Sequence, residues 1–200
     1  MSDFLMSCSC RGRRPKHVAS SATHSRPHLI ADLLRSRDVA RFLVAPTGFG
    51  KSTVAAEYAQ VVFSFRQTFW VNCESPCFLR DLDAGIIASR VAEIGGAGSL
   101  VVFDDLPRMD ASRVEVFSEV VDELLAAGSE VLVTCTPTCD AYSDLHRDRV
   151  KLSARRFLLT DDEMKHTVRA TDSPYAKCRA ACVAWGSDDG GRLVAGMAAE

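Results

Sequence analysis

The chain is 200 residues long, 47% hydrophobic and 25% charged, with a formal net charge of −2. That length supports one domain with a real core and room for a small appendage. The near-neutral charge gives no global pull toward nucleic acid or membrane, the apolar runs are too short and broken for a transmembrane helix, and the N-terminus has no secretory h-region, so the cytoplasm is the expected location.

Residues 1–25 hold Cys8, Cys10, a basic cluster at Arg11, Arg13, Arg14 and Lys16, and many serines. They show no period of 2 or 3.6, and a disordered basic tail is expected; the Arg- and Ser-rich make-up loosely matches a transit peptide. "HLIADLLRSR" then reads as a short amphipathic helix and "ARFLVAP" (40–46) as a strand covered on both faces. "KSTVAAEYAQVV" (51–62) is helical, "QTFWVNC" (67–73) a second strand with Trp70 in the core, and "FLRDLDAGIIASRVAEIG" (78–95) one helix ending at glycines. "SLVVFDD" (99–105) is the third strand.

"DASRVEVFSEVVDELLAAG" (110–128) is the clearest helix. Val114, Phe117, Val121, Leu124 and Leu125 form its apolar stripe, Asp110 caps its start and Gly128 follows its end. "EVLVTCT" (130–136) and "RVKLSARRF" (149–157) complete five strands. "LTDDEMKHTVRA" reads as a capped helix, and the last stretch as a helix, a Gly/Asp turn and the start of another helix. Strands alternating with helices predict a mainly parallel five-stranded sheet in a three-layer α/β/α domain over residues 26–157, with 158–200 as a short helical appendage and the beginning of a longer architecture.

Of the eight cysteines, Cys73/Cys77, Cys135/Cys139 and Cys178/Cys182 share a C-x3-C spacing. Zinc sites favour other spacings, and free thiols are expected. His146 and His166 lack spaced partners, and Glu57 is expected to face solvent.

The stretch "APTGFGKST" carries the chemistry. Ala45, Pro46-Thr47-Gly48-Phe49 and Gly50-Lys51-Ser52 fit A-x-x-x-x-G-K-S, an accepted variant of the phosphate-binding loop with alanine as its first residue. Such a loop ends a strand, wraps a phosphate with successive N–H groups and opens a helix whose N-terminus adds positive potential. Gly48 and Gly50 permit the dihedrals, Lys51 reaches the β- and γ-phosphates, Ser52 completes a Mg²⁺ shell and Thr53 donates to the α-phosphate. "SLVVFDD" adds Asp104, placed to hold Mg²⁺ through water, and Asp105, placed to polarise an attacking water. "VLVTCTP" offers Thr134 and Thr136, either of which could touch the γ-phosphate or that water.

In order, "RPHLIADLL", "APTGFGKSTVAAEYA", "TFWVNC…FLRDL", "LVVFDDL", "VLVTCTP" and "RRFLLTDDEM" resemble the STAND-class P-loop ATPases, above all the nucleotide-binding domain of MalT-like, LuxR-type bacterial transcriptional regulators. The resemblance covers about residues 26–165. It implies a P-loop NTPase fold and a cytoplasmic switch that binds ATP or ADP with Mg²⁺ and self-associates in the ATP state. It also places Arg26 and Pro27 near the base. The chain departs from the family at Thr136, where an arginine is usual, which implies slow turnover or none. Lys51, Asp104, Asp105 and Thr136 form the candidate catalytic set. No DNA-binding domain is visible in the chain.

Two other readings stay open. A small-molecule P-loop kinase would use an arginine-rich lid, for which Arg147, Arg149, Arg155 and Arg156 are available. A degenerate, non-catalytic fragment would keep the loop only as structure.

Overall fold

A computed structural model describes residues 25–35, 39–62, 68–94, 96, 98–142 and 149–158. The expected tail up to residue 24, the capped helix at 159–170 and the last helical stretch lie outside the described residues, as do Arg147, His146 and the third cysteine pair.

Five parallel strands form one sheet in the order β2-β3-β4-β1-β5. They are β1 (Ala40–Val44), β2 (Thr68–Asn72), β3 (Leu100–Leu106), β4 (Glu130–Cys135) and β5 (Arg149–Ser153). All of β1 and the first five residues of β3 are buried, as strands with both sheet faces covered are, and Arg41 and Asp104 are the charged residues among them.

Alternation along the strands feeds two cores. Phe42, Val44, Val101, Phe103, Val131 and Val133 face one side. There they meet α3 (Phe78–Asp83), α4 (Ile86–Ile94) and α5 (Ala111–Ala126), whose Phe117, Val120, Val121 and Leu124 are buried. Phe103 and Phe117 pack edge to face, with centroids 5.0 Å apart at 82°. Leu43, Ala45, Leu100, Val102, Leu132 and Trp70 face the other side. α1 (Pro27–Leu33) and α2 (Lys51–Val62) cover them with Leu29, Ile30, Leu33, Val54, Ala55 and Tyr58. The result is the three-layer α/β/α fold.

Two expected elements differ. The single helix at 78–95 is broken into α3 and α4 at Gly85, whose φ of 67° leaves the right-handed helical region. The last strand stops at Ser153, and a 3-10 turn, Ala154–Phe157, follows it and buries Phe157. The compact unit closes at Phe157.

β3 and β4 are out of step at one place. Phe103 pairs with Val133 and Leu106 with Cys135, so Asp104 and Asp105 stand opposite Thr134 alone. This two-against-one arrangement is a β-bulge, a rare feature between parallel strands. Asp105 is the one non-glycine among the described residues with a positive φ, 54°.

Candidate functional site

The glycine loop runs from the end of β1 into the first turn of α2. Ala45 is fully buried and its N–H bonds the Cys135 carbonyl at 3.2 Å, so a small side chain suits the loop's entrance. Phe49 packs on the core beneath α1 and α2, which anchors the loop's middle. Gly48 and Gly50 have φ of 85° and 81°. A Cβ at Gly48 would meet nothing within 4 Å, so the dihedral is what demands glycine there. Thr47 is exposed, Pro46 and Thr53 are half-buried, and the Val54 N–H bonds the Gly50 carbonyl at 2.9 Å as the helix begins.

Lys51 opens α2 and is 4% exposed. Its Nζ donates to the Pro46 carbonyl at 3.3 Å and lies 3.8 Å from Asp105 Oδ1. A shielded ammonium attracts anions far more strongly than one in open water, and the α2 N-terminus adds the same sign of potential.

The loop and the acid pair meet through Ser52. Its hydroxyl donates to Asp104 Oδ1 at 2.9 Å. The same oxygen accepts the Thr134 hydroxyl at 2.7 Å, and Thr134 Oγ1 accepts the Asp105 N–H at 2.8 Å. Asp104 and Thr134 are buried; the Asp105 side chain is 38% exposed. Lys51, Ser52, Asp104, Asp105 and Thr134 thus form one continuous polar cluster at the carboxyl ends of β1, β3 and β4.

The donor set suits Mg²⁺. A hydroxyl and a carboxylate oxygen 2.9 Å apart are hard oxygen ligands, and Mg²⁺ takes one or two protein oxygens and fills its shell with phosphates and water. Among the described residues no group of three or more His, Cys, Asp or Glu could form an all-protein metal cage. Cys77 and Cys139 are free thiols, and Cys73 and Cys135 are buried.

Other singled-out residues lie elsewhere in the network. Thr136 is half-buried, with its Oγ1 2.8 Å from Thr138 Oγ1 and 3.7 Å from Cys139 Sγ. Arg26 is buried; it donates to the Phe157 carbonyl at 2.8 Å and stacks over the Phe157 ring at 5.8 Å. Pro27 is exposed at the first turn of α1. Glu57 does not simply face solvent: its carboxylate accepts the Arg26 N–H at 3.0 and 3.2 Å and the Ser25 hydroxyl, tying the chain ahead of α1 to α2. Arg155 is exposed and Arg156 pairs with Asp32.

From the sequence alone Thr134 and Thr136 are equal candidates. β4 ends at Cys135, one residue before Thr136, and the bulge that selects Thr134 depends on its pairing with β3.

No protein-family model matches the chain, and no curated protein matches it. Among solved structures, C. elegans PCH-2 is similar at 14% identity and a TM-score of 0.39, over 67% of this chain and 38% of that one. A Rhizobiales Trip13 is similar at 19% identity and a TM-score of 0.35, over 69% of this chain and 50% of that one. The chain therefore spans half or less of these neighbours' length. No helix among the described residues is long and apolar enough to cross a membrane.

Proposed function

We propose that the chain is a P-loop nucleotide-binding module that holds ATP or ADP by its phosphates. The observation that carries this reading is the cluster in which Lys51, 4% exposed, faces the loop carbonyl and Asp105, while Ser52 bonds Asp104 at 2.9 Å. A buried cation beside a glycine loop and a helix N-terminus is suited to phosphate. In that role Gly48 and Gly50 shape the backbone, Ala45 to Phe49 line the loop, Lys51 meets the terminal phosphates and Thr53 the α-phosphate. Ser52 and Asp104 would hold Mg²⁺, which screens phosphate charge. Asp105 would accept a proton from a water, with Thr136 just past the end of β4 as the remaining catalytic candidate.

The order and wording of the motifs favour a regulatory switch of the STAND type within a MalT-like, LuxR-type transcriptional regulator over a metabolic enzyme. That reading includes slow turnover or none, self-association in the ATP state, and a base pocket near Arg26 and Pro27.

Titration of ATP and ADP with Mg²⁺ and with EDTA, on the chain and on Asp104→Asn, tests it. The chain is expected to bind more tightly with Mg²⁺, and Asp104→Asn to lose about tenfold of that gain. An unchanged Mg²⁺ gain in Asp104→Asn would overturn the assignment.

A further inference from the structure

The geometry points to Thr134 as the positioning residue that holds both acids of the site, one by its carboxylate and one by its backbone, a role that rests on the nucleotide reading above. Thr134 is fully buried in β4, so its hydroxyl has no solvent to satisfy it. Its single proton goes to Asp104 Oδ1 at 2.7 Å, and its oxygen accepts the Asp105 N–H at 2.8 Å. One hydroxyl therefore orients the carboxylate that also receives Ser52 and pins the backbone of the neighbouring acid.

The second bond matters because Asp105 is strained. A non-glycine residue at φ 54° costs on the order of 1 kcal/mol or more and persists only where its surroundings fix it. The β3–β4 bulge sets Asp104 and Asp105 against Thr134 alone, and Asp105 Oδ1 lies 3.8 Å from Lys51 Nζ. Threonine is common in strands for its shape. Valine has that shape without either polar function, so it separates packing from positioning.

The test uses the full chain as wild type, Thr134→Val and Thr134→Ser. ATP affinity is measured with Mg²⁺ and with EDTA, and amide exchange is followed at Asp105 without nucleotide. In Thr134→Val the ratio of the two affinities is expected to fall about tenfold and the Asp105 amide to exchange at least about tenfold faster; Thr134→Ser restores both. Should valine not fold, Thr134→Cys, of similar size and a weak donor, is expected to show the same losses. The proposal is overturned if the valine variant matches wild type in both measurements, or if affinity falls equally with and without Mg²⁺ and serine does not restore it. If wild type binds no nucleotide, the nucleotide reading fails by itself. Exchange at Asp105 still decides the Thr134 role, and an unchanged rate in Thr134→Val overturns it.

Discussion

Arg41 lies in β1 yet is 1% exposed, a position where strand alternation alone leads one to expect an apolar residue. Its charge is met on every side. Nε donates to the Leu33 carbonyl at 2.9 Å, Nη1 donates to the Val39 carbonyl at 3.1 Å, and Nη1 sits 3.0 Å from Glu130 Oε2. The guanidinium lies 5.4 Å from the Tyr58 ring centre, and the Tyr58 hydroxyl donates to Glu130 Oε2 at 2.7 Å. Burial pushes the Tyr58 phenol above its ordinary 10.0; Arg41 pulls it back, and the bond to Glu130 raises it again. The unfolded chain releases this proton near its ordinary value while the folded chain keeps it. Above about pH 10 the unfolded state therefore binds fewer protons, and stability falls as pH rises. Tyr58→Phe is expected to lower stability by about 1 kcal/mol near neutral pH. It should also remove up to about 1.4 kcal/mol per pH unit of the alkaline decline. Urea unfolding of both proteins from about pH 7 to about pH 11 measures this; parallel curves above pH 10 would contradict it.

At the scale of elements, helix ends follow local chemistry closely. Asp110 has an extended backbone and its carboxylate accepts the Arg113 N–H at 3.0 Å, so α5 starts where a side-chain cap supplies an acceptor. Asp110→Ala is expected to cost about 1 kcal/mol in chemical unfolding. A loss below about 0.3 kcal/mol would show that the cap is idle. α2 was legible to the residue because the glycine loop before Lys51 marks its start. The break at Gly85 was not legible, because a glycine inside an apolar 3.6-residue pattern is often tolerated and only packing of α3 and α4 shows that this one turns left-handed. The five strands were legible as apolar runs. The bulge was not: "VVFDDL" looks the same in or out of step, and pairing with Val133 and Cys135 decides it. Thr134 follows from that pairing, and Glu57 from where the chain ahead of α1 lies.

Across the whole molecule, the sheet order β2-β3-β4-β1-β5 sets β4 between β1 and β3. The glycine loop leaves β1, the acids end β3, and Thr134 reaches both acids from the strand between. Two cores, one on each face, fix that spacing, since β1, β3 and β4 contribute buried side chains to both. Residues distant in sequence thus meet at the carboxyl ends of the central strands, where crevices suit ligands. Lys51 is central to it, since its Nζ meets both the Pro46 carbonyl of the loop and Asp105. Calorimetric titration of ATP and ADP with Mg²⁺, on the chain and on Lys51→Ala, is the most direct measurement. Binding by the chain that weakens at least about tenfold in Lys51→Ala, with both proteins equally folded, is the predicted result. No binding by either, or equal binding by both, would contradict a phosphate site at this loop.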